Sequence, residues 1–202
     1  MSLGELGTNC YIVYNEYDAL IIDPGGDPEK VIDFLKFEDL KPQAILLTHA
    51  HFDHIGGVDD LRKHFNLDVY LHENEANWLE EPRLNRSTAF TRKEVRTARP
   101  DHLIQPGKMK LSSFEFDVIH TPGHSPGSVS YLFVNEGFII SGDVLFQQGI
   151  GRTDLPGGSM AQLEKSIRQS LYLLEDNYIV YPGHGMYTTI GAEKRNNPFV
   201  PG

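Results

Sequence analysis

Apolar residues in this 202-residue chain come in short runs, four to six long, and polar or glycine-rich turns separate them. Residues 10–14 and 19–22 read as two strands joined by a polar turn. Asp27-Pro28 then opens a helix through about residue 36, with Asp as the N-cap and Pro at the first helical position. The run Ala44-Ile45-Leu46-Leu47 predicts a buried strand. Residues 57–65 predict a helix with Val58, Leu61 and Phe65 on its inner face, followed by a strand at 69–71 and a short helix at 74–79. Strands resume at 108–111, 114–119, 128–134 and 137–140. Leu163, Ile167, Leu171 and Leu174 are spaced for one face of a helix over 160–174. A strand at 178–181 and a short helix near 191–196 complete the pattern. Between 80 and 106 the periodicity dissolves into a polar loop with room for one helical piece, and this segment holds Arg83, Arg86, Arg92, Lys93, Arg96 and Arg99. Strand-rich halves with interspersed helices predict an α/β (α+β) protein of two mixed β-sheets flanked by helices, and the length fits a single domain over 1–202.

The turns carry the chemistry. Directly after the strand at 44–47 comes Thr48-His49-Ala50-His51-Phe52-Asp53-His54. If the strand continues, its alternation puts His49, His51 and Asp53 on one face and points His54 elsewhere, which suits two metals better than one. Neutral imidazole and carboxylate are ligands for zinc, iron and manganese, and no thiolate lies nearby to close a structural zinc site. Three further turns each deliver a His or Asp from the end of a short strand: His120-Thr121-Pro122-Gly123-His124, Ser141-Gly142-Asp143 and Tyr181-Pro182-Gly183-His184-Gly185.

Bulk properties narrow the partners. The net charge of −10 argues against a nucleic-acid substrate. No apolar run approaches the length of a membrane span, so no membrane partner is expected. A lone cysteine, Cys10, excludes an internal disulfide and reads as a small buried residue. A cytoplasmic location is the default that follows. His120 is expected to support the site from behind, either donating to a carboxylate or holding its loop. His64, His72 and His102 are expected at the surface or in structural roles, Trp78 and Leu79 in the core, and the basic stretch over 83–99 as a solvated loop.

The four His/Asp motifs, in this order and at these intervals, resemble the metallo-β-lactamase superfamily and, within it, the glyoxalase II-like (hydroxyacylglutathione hydrolase-like) branch. The branch resemblance rests on Gly149-Ile150-Gly151-Arg152-Thr153-Asp154, Tyr181–Gly185 and Thr189-Ile190-Gly191-Ala192-Glu193-Lys194 with Asn197-Pro198-Phe199. It implies an αββα sandwich whose sheet edge holds two divalent ions per chain, zinc first, with iron and manganese as alternatives. His49, His51 and His124 would hold one ion, Asp53, His54 and His184 the other, and Asp143 would bridge them. The implied reaction is thioester hydrolysis of the S-acylglutathione type, S-lactoylglutathione included. A bridging hydroxide attacks the acyl carbonyl, Asp53 orients it and takes its proton, and a thiolate leaves without needing an acid. Arg152 matches a basic substrate contact of the larger glyoxalases. Those enzymes also carry a C-terminal helical domain that grips glutathione, for which a chain ending at Gly202 leaves no room, so weak glutathione specificity is expected. The family's usual first strand would be short here or missing. The nearest rival on the same fold is a persulfide dioxygenase with one iron on His49, His124 and Asp143. A β-lactamase is disfavoured because those enzymes lack a counterpart of Asp143.

Overall fold

The computed structural model describes residues 1–202, which divide into two compact units: Met1–Ile104 with Leu111–Phe114, and Gln105–Lys110 with Glu115–Gly202.

The first unit is built on a five-stranded sheet in the order Tyr11–Tyr14, Asp18–Ile22, Lys41–Leu46, Val69–His72, His102–Ile104. The first pair is antiparallel and the other three pairings are parallel. Parallel neighbours need crossovers, and the helices Pro28–Phe37 and Val58–Phe65 supply two of them. The strand Asp18–Ile22 is buried along nearly its whole length because it is covered on both faces, which is why its sequence is continuously apolar rather than alternating. Ile21, Ile45 and Leu47 pack in one core with Val31 and Leu35 of the first helix, Val58 and Leu61 of the second, and Trp78. Cys10 lies in the same core, as expected. Ser2–Leu3 pairs with Thr8–Asn9 as a short hairpin ahead of the sheet.

The second unit carries a six-stranded sheet in the order Thr188–Thr189, Ile179–Pro182, Phe138–Gly142, Val129–Phe133, Phe114–His120, Gly107–Leu111. Phe138–Gly142 and Ile179–Pro182 run parallel, so their C-terminal ends emerge at the same edge. The helix Met160–Gln169 lays Leu163 and Ile167 against Ile139 and Val180. Ser159 caps it by accepting from the Gln162 amide at 3.4 Å, an interaction worth about 1 kcal/mol. No helix of either unit is long and apolar enough to cross a membrane.

Several local expectations need correction. The chain leaves the sheet after Leu46, so His49 and His51 sit on an irregular segment and Asp53 on the helical turn Phe52–Ile55. No strand alternation relates the three residues. Asp27 precedes the first helix but does not cap it: its backbone is left-handed, with φ 43°, and its carboxylate accepts from Gly4 N and Lys30 Nζ instead. The helix expected over 160–174 breaks at Ser170 into a 3-10 turn, Leu171–Leu173, with Leu171 still buried. The helix expected at 74–79 is only a 3-10 turn, Glu73–Glu75. The loop over 80–106 has its one helical piece at Ser87–Phe90, but it also contains an edge strand, His102–Ile104, that the pattern does not predict.

Candidate metal centre

In the first unit the parallel strands Asp18–Ile22 and Lys41–Leu46 end side by side, which brings Asp23 against the segment that follows Leu46. The Thr48 amide and hydroxyl both donate to the Asp23 carboxylate, at 2.7 and 2.6 Å. His54 Nδ1 meets the same carboxylate at 2.9 Å. Asp23 is 1% exposed, so this carboxylate is a buried anchor for two neighbours. Its backbone is held at φ 53°, a strained region for a residue with a side chain and one that recurs at functional sites.

These contacts settle the histidine tautomers. A carboxylate only accepts, so the Thr48 hydroxyl hydrogen goes to Asp23. His49 Nδ1, 3.1 Å from that hydroxyl, must therefore donate to it. His54 Nδ1 likewise donates to Asp23. In both rings Nε2 is left as the lone-pair nitrogen, the form a metal ligand needs. The rings crowd together: His49 lies 4.1 Å from His54 and 4.8 Å from His51, centroid to centroid. All three are buried. Asp53 closes the group, with Oδ2 3.6 Å from His54 Nε2 and 3.0 Å from the Thr8 hydroxyl that donates to it. Behind His51, the buried Glu75 accepts from the Ala50 amide at 2.6 Å, and Trp78 lies 5.8 Å away.

The second unit has its own group. A β-bulge between Ile140 and Gly142 turns the strand end, and Asp143 follows directly. His184 follows the neighbouring parallel strand, and His124 sits on the loop after Phe114–His120. Asp143 Oδ2 is 3.6 Å from His124 Nε2 and 3.7 Å from His184 Nε2, so one carboxylate oxygen stands between two imidazole nitrogens. His124 Nδ1 donates to the Arg152 carbonyl at 2.8 Å, again leaving Nε2 as the acceptor. The Arg152 guanidinium is bidentate to Asp154, at 2.8 and 2.7 Å, and holds that carboxyl down at about 2. His120 Nε2 holds the Pro126 carbonyl at 3.0 Å, the loop-holding one of its two expected roles. His72 accepts from the Asn74 amide, while His64 and His102 are exposed.

Three N···O separations of 3.6–3.7 Å recur here. They exceed the 2.7–3.2 Å or so of a direct hydrogen bond. Two ligands on one tetrahedral ion, with bonds of about 2.0–2.1 Å, stand roughly 3.3 Å apart, so the spacing suits shared cations. The donor set of buried imidazoles and carboxylates with no thiolate fits divalent metal ions. Asp23 also lies within reach of His49 and His54 as a third ligand. Its oxygens are already taken by Thr48 and His54, so it orients ligands rather than binding metal.

Two glycines set how closely the chain can approach the aspartates. A Cβ on Gly25 would stand 1.8 Å from the Asp53 carbonyl oxygen, and one on Gly151 would stand 1.9 Å from that of Asp143.

The sequence profile of the metallo-beta-lactamase superfamily matches residues 3–184. The chain belongs to this superfamily. The superfamily fold holds throughout, and with its His/Asp clusters the protein is a metal-binding metallo-hydrolase. It is 47% identical to the probable metallo-hydrolase YqgX of Bacillus subtilis, over 100% of this chain and 96% of that protein. It is 40% identical to the hydroxyacylglutathione hydrolase GloC of Haemophilus influenzae, over 95% and 92%. Among solved structures it resembles the BLEG-1 B3 metallo-beta-lactamase, with 52% identity, TM-score 0.97, and 100% and 98% of the two chains covered. It also resembles TTHA1623, solved in a di-iron-bound form, with 39% identity, TM-score 0.86 and 98% of each chain covered. Of the superfamily site, Asp23, Thr8, Thr48 and Glu75 escaped the sequence reading. Aspartate before Pro24-Gly25-Gly26 reads as an ordinary turn residue, and nothing in the sequence marks Glu75 as buried.

Proposed function

We propose that this metallo-hydrolase cleaves thioesters of the S-acylglutathione type, with S-lactoylglutathione as the reference substrate. The observation that carries the reading is the 40% identity to GloC over nearly the full length of both chains. Two divalent ions would be held by the residues that the superfamily resemblance implies, His49, His51 and His124 for one and Asp53, His54 and His184 for the other, with Asp143 shared. Zinc is the first choice, and the di-iron form of TTHA1623 keeps iron a candidate.

Divalent ions there would supply Lewis acidity, enough to bring the pKa of water down to roughly 7 and to polarise a carbonyl. The protein's own groups do the rest. Asp23 and Thr48 lock His49 and His54 with Nε2 outward, and the Arg152 carbonyl does the same for His124. Asp53, steadied by Thr8, accepts the proton of the attacking water at its carboxylate. Thiolate departs without a donated proton, which suits a site whose remaining groups are ligands. Arg152 meets a substrate anion only by exchanging Asp154 for it, a modest demand on an exposed pair.

The similarity to BLEG-1 favours a second reading, hydrolysis of β-lactams. Both reactions place a nucleophile on an acyl carbon, so the ligand set alone does not separate them. The test is a panel of S-acyl thiols, a chromogenic cephalosporin and a persulfide, assayed on protein loaded separately with zinc, iron and manganese. Thioester turnover with no cephalosporin turnover is the expected result. Cephalosporin turnover alone establishes the second reading, and oxygen uptake with the persulfide overturns both.

A further inference from the structure

In the first unit, Asp53 lies at the side of a groove of about 780 Å³. That is the size of a ligand site and far larger than a lactoyl or acetyl group needs. Its lining mixes charged side chains with an apolar set, Leu6, Phe52, Phe90 and Val95. Leu6 is 55% exposed and Phe90 50% exposed, and Phe52 stacks on Phe90 at 6.2 Å with their planes 16° apart. Two large apolar side chains left open in a groove beside a catalytic group offer a path for an apolar ligand.

The charges around the groove do not ask for an anion. Arg96 is tied to Glu94 at 3.0 Å, and Asp59 accepts from the Ala98 amide while facing Arg62. Arg92 and Lys93 line the groove together with the acids Glu5 and Asp60, so neither sign of charge dominates it. Arg99 is held by Glu80, so the basic stretch is in part internally neutralised. A polyanionic thiol carrier meets acids as well as bases here, whereas an apolar acyl chain gains the open Leu6 and Phe90 surfaces.

We propose that this groove receives the acyl side chain of the substrate, so that the enzyme prefers medium-length alkyl or aryl acyl groups over lactoyl. The inference rests on the hydrolase reading and specifies its substrate class: an apolar S-acyl thiol.

The experiment holds the thiol constant and neutral. Acetyl, lactoyl, hexanoyl and phenylacetyl thioesters of N-acetylcysteamine are assayed on the metal-loaded protein. Hexanoyl and phenylacetyl should exceed acetyl in kcat/KM by about tenfold or more, since each buried methylene contributes roughly a factor of four. In Phe90→Ala and Leu6→Ala the hexanoyl-to-acetyl ratio should collapse severalfold, chiefly through KM, and Phe90→Leu should restore most of it. Phe37→Ala, at an even more exposed phenylalanine on the helix Pro28–Phe37, should leave the ratio as it is. An unchanged ratio in Phe90→Ala, or a wild-type preference for lactoyl, overturns the proposal. If no thioester is turned over, the hydrolase reading fails by itself. The groove is then judged by NMR titration with phenylacetate against acetate. Phenylacetate shifts at Phe52 and Phe90 that vanish in Phe90→Ala uphold an apolar-chain site, and equal responses to the two acids reject it.

Discussion

Asp23 accepts a hydrogen bond from His54 Nδ1 at 2.9 Å, with both side chains almost entirely excluded from solvent. The same carboxylate also takes the Thr48 hydroxyl that orients His49, so one buried acid sets the tautomers of two candidate ligands. Such a residue acts on metal affinity without touching the metal.

Asp23→Asn keeps the shape but replaces one acceptor oxygen with a donor, which no longer matches both His54 and Thr48. Metal affinity should fall roughly 10–100-fold while the fold persists. Competition with a chelator, read beside the thermal midpoint, checks this. Wild-type affinity in the variant would remove Asp23 from the positioning role.

Asp143→Ala should cost more than His54→Ala. Asp143 Oδ2 stands within 3.7 Å of both His124 and His184, so its loss disturbs ligands assigned to both ions. Elemental analysis after gel filtration should find both metals depleted in Asp143→Ala and about one retained in His54→Ala. Equal retention in the two variants would count against a bridging carboxylate.

Glu193→Ala should destabilise the protein by about 2–4 kcal/mol. The Glu193 carboxylate is 1% exposed and receives Thr188 Oγ1 at 2.6 Å, the Gln148 amide at 2.9 Å and Asn197 Nδ2 at 2.9 Å. Truncation strands these donors away from water. Urea denaturation measures the loss, and a change below about 0.5 kcal/mol would contradict the account.

Stability should decline in alkali. Complete burial pushes the Cys10 thiol up to about 12, helped by the Asp23 charge and opposed by the N-terminal ammonium. Burial, then the Glu193 charge, pushes the Tyr172 phenol up to about 12. The unfolded chain releases these protons near the usual 9.0 and 10.0, while the folded chain keeps them until about 12. The folded state thus binds more protons across that interval, and stability falls as pH rises through it. Urea midpoints from about pH 8 to 11 should drop, less steeply in Cys10→Ala, and native Cys10 should resist thiol reagents until the protein unfolds.

Much of this was legible because the chemistry is written in consecutive letters. The strand that ends at Leu46 and the turns that carry Asp143 and His184 follow from apolar runs ending in polar residues. What stayed hidden depends on neighbours distant in sequence. Asp23 becomes an anchor only because two parallel strands end together, and Glu75 becomes buried only because the 3-10 turn Glu73–Glu75 folds back on Ala50. The pattern over 160–174 predicted inward positions correctly, yet Leu171 keeps its place through a 3-10 turn after the break at Ser170, a distinction that periodicity does not register. Glu193 and Asn197, read as marks of a hydrolase branch, turn out to clamp the Gln148–Gly149 turn to the C-terminal helix.

The close approach of Gly25 to Asp53 and of Gly151 to Asp143 reaches beyond this one molecule. Anyone building a mutant library that freezes the histidines and aspartates but randomises everything else would lose the centre at two positions that bear no functional group. A graft of the seven candidate ligands onto another scaffold inherits the same demand. The inheritable unit is a ligand together with the missing side chain opposite it.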